Sequence, residues 1–375
     1  MREDETRHYT GRSRFDPSAV ADSPADAAQR LIAALARARD GATTPEQTGA
    51  RLEGEFLGLL RASQPDLKHL RGITDLTRAG AHALLTYAGL LKQSLPVRLS
   101  VHDRLLRGQT LAMIFEKPSL RTRVTFEVGM AQLGGRAIYL QPSDIQLRKR
   151  ESVPDVARNL GRWVDGIMAR TFVHQTILDL AEHAGVPVIN GLSDLEHPCQ
   201  ALADFLTIQE RLGEITGKKV VFVGDGNNVA HSLLLLGGLL GAHMVVACPE
   251  GYEPRAEILE ATQAYAAASG GSAEVMHDPT TAVQGAHAVY TDVWASMGQE
   301  AEAEQRAQVF APFQVNAELL AAALPEAIVM HCLPAHRGQE ITDAVLDGLQ
   351  SVVLDQAENR LHAQKAVLVM LMSQK

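Results

Sequence analysis

Cysteine is scarce in this sequence. Its 375 residues include only Cys199, Cys248 and Cys332, an odd number spread far apart, with neither zinc spacing nor the density of a disulfide framework. Thiols left unpaired suit a reducing compartment, so a cytoplasmic protein is expected. Long apolar runs are missing too. None approaches the roughly 20 residues that span a bilayer, and no membrane partner is expected. Nor is positive charge in excess: 35 lysines and arginines stand against 44 acidic residues, a formal net charge of −9, which argues against nucleic acid as the main partner. An anionic ligand must then be gathered by a local basic cluster against the global field.

What is present is the composition of a globular protein, 46% hydrophobic and 21% charged, in a chain long enough for two domains and a tail. The tail is residues 1–64, rich in Ala, Arg, Asp, Gly and Ser and without a strand-like run. It reads as a partly disordered extension, with one Ala-rich helix over 27–39 that carries Leu31, Ile32 and Leu35 on one face as a candidate subunit contact. Its acidic residues argue against a mitochondrial presequence, and no signal-peptide core appears.

The rest of the chain is organised around FEKPSLRTRVTFE at 115–127. An apolar run at 111–115 reads as a buried strand, and Val124, Val128 and Ala131 follow at helical spacing. The tip between them carries Ser119, Arg121, Thr122 and Arg123 where the first backbone N–H groups of a helix lack partners and attract anions. Arginine presents a planar fork of donors matched to oxyanions. By itself the stretch also fits a plain N-cap with solvated basic residues.

Further strands are expected at 137–140, 166–169, 187–190, 218–224, 244–247, 288–291 and 328–330, alternating with helices. Arg170 follows the third strand, at the carboxyl end where open α/β sheets place ligands. His197-Pro198-Cys199-Gln200 opens a helix, since proline suits a first turn, and His197 and Gln200 share a face. Gly224-x-Gly226-x-x-Val229 suggests a dinucleotide loop with Glu250 as ribose acid. It lacks the third glycine, and Asn227 and Asn228 stand where backbone should approach a pyrophosphate. Asp292 ends a strand and precedes Ser296-Met297-Gly298. The thiol in His331-Cys332-Leu333-Pro334 reads, alone, as a buried core cysteine. Arg148, Lys149 and Arg150 read as a solvated charge run.

In this order, from near Leu70 to the end, these stretches resemble the aspartate and ornithine carbamoyltransferase family. The family's phosphate loop is Ser-Thr-Arg-Thr-Arg. Here Leu120 takes the second position, where a backbone N–H remains available, and Arg148, Lys149 and Arg150 replace a glycine-rich stretch. The resemblance implies an α/β fold of two domains, each a mainly parallel sheet flanked by helices, with the active site in the cleft between them. A carbamoyl phosphate domain is expected over 65–208, with a helix from 358–375 packing back on it, and an ornithine domain over 209–357.

The contacts implied for carbamoyl phosphate are Ser119, Leu120, Arg121, Thr122, Arg123, Gln146, Arg170, His197, Gln200, Cys332, Leu333 and Arg360. Gln146 is expected to reach a neighbouring subunit of a homotrimer. Asn228, Asp292, Ser296 and Met297 would hold ornithine, and Cys332, Arg170, His197 and Asp292 are the implied catalytic groups. The implied reaction is carbamoyl transfer to the side-chain amine of L-ornithine, giving citrulline and phosphate without a metal or organic cofactor. Three alternatives stay open: another amine acceptor, a non-catalytic binder of carbamoyl phosphate, and a nicotinamide oxidoreductase.

Overall fold

The computed structural model describes residues 66–94, 102–145, 147–295 and 302–373, with Gly58, Ser63 and Gln64. The expectations for 27–39, Gln146, Ser296 and Met297 lie outside the described residues.

Apolar runs buried on both faces favour parallel sheets covered by helices, and two such sheets form. The first contains β1 (Thr110–Phe115), β2 (Arg136–Leu140), β3 (Gly166–Arg170) and β4 (Val188–Leu192), ordered β2-β1-β3-β4 and all parallel. Phe115 pairs with Arg170. That register sets the loop after β1 directly beside the end of β3. Around this sheet lie α1 (Arg78–Gln93), α2 (Leu120–Gln132), α3 (Val153–Trp163), α4 (His174–His183) and α5 (Pro198–Leu212). Thr77 caps α1 by accepting from Gly80 N, which spares one unpaired donor at the helix start.

The second sheet contains β5 (Lys219–Val223), β6 (His243–Ala247), β7 (Ser272–Met276), β8 (Ala288–Thr291) and β9 (Ile328–His331), ordered β7-β6-β5-β8-β9 and again parallel. Its helices are α6 (Asn228–Leu240), α7 (Ala256–Ser269) and α8 (Ala303–Phe310). β7 was not anticipated. It is an edge strand whose sequence, SAEVM, buries little and gives no apolar run to read. The last helix, α9 (Val353–Met372), begins earlier than 358 and packs against α1, α2 and α5. α5 runs on to Leu212, so a domain division at 208/209 falls inside a continuous helix and belongs after it. Among the described residues no helix is long and apolar enough to cross a membrane.

α2 ends against the turn before β1, and Gly134 permits this. Its φ is 81°, and a Cβ there would lie 1.9 Å from the carbonyl oxygen of Asp103. Both the left-handed backbone and the clash with main chain penalise a side chain. Gly134→Ala is therefore expected to destabilise the fold by about 2–3 kcal/mol, read as a lowered midpoint in thermal or denaturant unfolding.

Candidate active site

The loop between β1 and α2 adopts the N-cap geometry its sequence suggests. Ser119 is extended, and its hydroxyl accepts from Thr122 N at 3.3 Å. Arg121 reaches across to the second domain and donates to the carbonyl of Leu333 at 2.5 Å. Thr122, buried, accepts from Nη2 of Arg360 at 3.2 Å, and Nη1 of Arg360 donates to Oε1 of Gln200 at 2.5 Å. Arg170 is 7% exposed at the end of β3, and His197 is 5% exposed at the start of α5. Nε of Arg170 and Nδ1 of His197 have no hydrogen-bond partner among the described residues.

Arg121, Arg170 and Arg360 thus share one partly dehydrated space, and none forms an ion pair among the described residues. The electrostatic strain is visible in their proton affinities. Burial, then the charges of Arg360 and Arg121, lower Arg170 to about 10. Burial and the same cations push His197 well below its usual value, so its imidazole is neutral. Lys117, which the sequence reading did not single out, is lowered by burial and by Arg170, and stands 4.9 Å from the ring centre of Phe172. Buried like charges repel, and a dianion placed among them relieves that cost.

Two residues of the loop point elsewhere. Arg123 pairs with Glu127 at 3.1 Å and lies over the Tyr139 ring at 3.8 Å, on the exposed side of α2. Leu120 is 75% exposed. Neither side chain joins the arginine cluster, because α2 turns both away from the buried Thr122. The side chain of Arg148 donates to Thr176, so this member of the basic triplet is not simply solvated.

The second domain contributes Asp292 after β8 and Cys332 after β9. The thiol donates to Oδ1 of Asp292 at 2.9 Å, and Asn227 donates to Oδ2 at 3.0 Å. Burial, then Asp292, raise the Cys332 thiol well above its ordinary value. Asn227 also caps α6. Asn228 is turned toward the first domain, donating to the Ser193 carbonyl at 2.6 Å.

Leu333 follows with φ of 57° and a cis bond to Pro334. This left-handed backbone is held by His331, whose Nδ1 accepts from Leu333 N at 2.8 Å while Nε2 meets Glu340 at 3.1 Å. Ligand-type atoms of Asp292, His331 and Cys332 lie within 4.8 Å of one another. Both nitrogens of His331 are already engaged, by Leu333 N and by Glu340.

Two further buried residues went unrecognised in the sequence. Oδ1 of Asp204 accepts from Gln200 at 2.8 Å and from Gln356 at 2.7 Å, and Gln356 accepts from His331 N at 2.9 Å. One carboxylate thereby links the residues behind both halves of the site, and burial raises it to about 7. An acid one turn after Gln200 in an apolar helix was the available signal.

The sequence of these elements matches two family models. Residues 68–210 match the carbamoyl-P binding domain of aspartate/ornithine carbamoyltransferase, and residues 216–371 match its Asp/Orn binding domain. The chain belongs to the aspartate/ornithine carbamoyltransferase family. Among family members, the ornithine carbamoyltransferase of Thermococcus kodakarensis is 58% identical over 300 residues, covering 80% of this chain and 95% of that one. An anabolic ornithine carbamoyltransferase of Pyrococcus furiosus is 63% identical over 269 residues, covering 72% and 85%. The solved structure of the Pyrococcus furiosus enzyme superposes with a TM-score of 0.80 at 57% identity, covering 82% of this chain and 98% of that one. An N-acetyl-L-ornithine transcarbamylase superposes at 0.73 with 34% identity, covering 81% and 100%. Family architecture therefore does not by itself select the amine.

The state of Cys332 is directly measurable. At neutral pH its thiol is expected to be alkylated by iodoacetamide at least about tenfold more slowly than an unperturbed cysteine. Asp292→Asn removes the carboxylate that raises it and should speed the reaction, read by mass spectrometry of the Cys332 peptide.

Proposed function

We propose that this chain transfers the carbamoyl group of carbamoyl phosphate to the side-chain amine of L-ornithine, giving L-citrulline and phosphate in arginine metabolism. The observation that carries this reading is the bond from Arg121 to the Leu333 carbonyl. It joins an arginine cluster suited to a phosphate dianion with an Asp292–Cys332 pair suited to an ammonium or amine.

In the proposed reaction the nitrogen lone pair attacks the carbonyl carbon of carbamoyl phosphate. A C–N bond forms, the carbonyl oxygen takes up negative charge, and the bond to the phosphate oxygen then breaks with phosphate as leaving group. Arg170, Thr122 and the neutral His197 hold the developing oxyanion. Ser119, Arg121, Arg360, Gln200 and the backbone of Leu120 and Leu333 orient the phosphate and the carbamoyl amide. Asp292 receives the ammonium form of the substrate. Desolvation favours loss of its proton, which the adjoining Asp292 carboxylate accepts, and the second proton that nitrogen sheds after attack leaves with the phosphate. Phosphate is a good leaving group, so no step calls for a metal or organic cofactor.

Ser296-Met297-Gly298 favours ornithine as acceptor over putrescine or N-acetylornithine, with Asn228 as a further contact. Gln146 is assigned to the phosphate site of a neighbouring subunit. A cytoplasmic homotrimer is proposed. Its contact surface is supported by Leu120, Val124 and Val128 on α2 and Ile138 on β2, all exposed apolar side chains, which sedimentation analysis tests.

Citrulline formation with ornithine preferred over those two amines is the expected result, and product from another amine alone would overturn the acceptor assignment. Arg170→Ala is expected to lower turnover by about 100-fold to 1,000-fold, the usual cost of one oxyanion donor, while remaining folded. Initial-rate kinetics should show carbamoyl phosphate binding before ornithine.

A further inference from the structure

The loop that carries His197 is fastened to the second domain by one face of α6. Asn228 donates to the Ser193 carbonyl at 2.6 Å, Nδ1 of His231 lies 2.8 Å from the Leu195 carbonyl, and Oγ of Ser232 accepts from His197 N at 2.9 Å. Glu196 completes the fastening. It is 3% exposed, and its Oε2 accepts from Oγ of Ser232 at 3.0 Å and from Ile73 N at 2.9 Å. Gly72 makes room for the other oxygen, since a Cβ there would lie 2.1 Å from Oε1.

One carboxylate oxygen therefore ties Ile73 of the first domain to α6 of the second. The Ser232 hydroxyl, committing its proton to Glu196, keeps a lone pair for the N–H of His197. Hydrogen bonds to an ionised acceptor are roughly twice as strong as neutral ones, so the carboxylate form fixes this chain most firmly. Burial, opposed by the two donors and reinforced by Asp75, raises Glu196 to about 7. Tyr265 on α7 feels its charge. His231 on α6 is itself lowered by burial.

We infer that Glu196 is a positioning residue for carbamoyl transfer, holding the backbone of His197 through Ser232 and thereby setting the imidazole against the arginine cluster. The inference rests on the reaction proposed above. Glu196 touches no substrate, and its effect passes through a hydroxyl that is strongly directed only while the carboxylate is ionised. As pH falls through the neutral range the direction is lost.

The test is citrulline formation from pH 6 to 9 by wild type, Glu196→Gln, Ser232→Ala and the double variant. Dividing each Glu196→Gln rate by the wild-type rate cancels the ionisation of ornithine itself. The quotient is expected near one at pH 6 and about tenfold lower at pH 8.5, the difference between a charged and a neutral acceptor. In the Ser232→Ala background Glu196→Gln should then cost nothing further, as expected of residues acting in series. A quotient that is flat with pH, or losses that multiply in the double variant, overturns the inference. Wild type that makes no citrulline overturns the proposed function, whereas active wild type with a flat quotient overturns only the role of Glu196. If Glu196→Gln does not fold, Ser232→Ala alone decides. Its turnover should fall below wild type at pH 8.5 and approach it at pH 6, as expected for a group that acts on the transition state, and a pH-independent difference overturns the inference.

Discussion

Confining three guanidinium groups and a neutral imidazole with no carboxylate ion pair among the described residues is the constraint on which the rest of the structure depends. A chain of net charge −9 has ample acid with which to neutralise Arg121, Arg170 and Arg360, yet among the described residues its ion pairs lie elsewhere. Dehydrated like charges raise the energy of the fold, and the lowered proton affinities of Arg170 and His197 report that cost. The cluster is held by neutral partners instead: Thr122, Gln200 and the Leu333 carbonyl. Such partners orient a guanidinium without cancelling its charge, so its attraction for a dianion is preserved.

The polar groups behind this cluster form a connected frame. Asp204 collects the amides of Gln200 and Gln356, and Gln356 reaches the backbone of His331. His331 and Glu340 fix the left-handed Leu333. Backbone in that region costs on the order of 1–3 kcal/mol. Here it aims a carbonyl at Arg121 and sets Cys332 beside Asp292. Preorganisation of this kind matters because hydrogen-bond donors contribute to catalysis only when they need not move during the reaction.

Much of this was legible in the sequence, for identifiable reasons. The central strands of the first sheet, β1 and β3, are continuous apolar runs, and the loop after β1 announces itself by Ser119 and its arginines next to a helix start. Arg170, His197 and Cys332 sit at strand or helix ends, where a local pattern can be read. β7 carried no such signal because an edge strand buries little. Arg123 was misplaced for a different reason: its position within a basic motif says nothing about which way α2 faces it. Asp204 is a lone acid in an apolar helix, Gln356 one of several polar residues in a helix and Glu196 part of an irregular loop, and their importance is set by partners up to 152 positions distant.

α9 has one further consequence. It supplies Arg360 and Gln356 and packs on α1, α2 and α5, yet between α5 and α9 the chain has run through the whole second sheet. The helices packed around the first sheet are therefore drawn from two stretches of chain, one on each side of the second sheet. Contacts of such long sequence separation carry a loop-closure cost before they return any stabilisation. The helices of the first sheet are fully packed, and Thr122 and Gln200 meet Arg360, only once α9 has returned across that span.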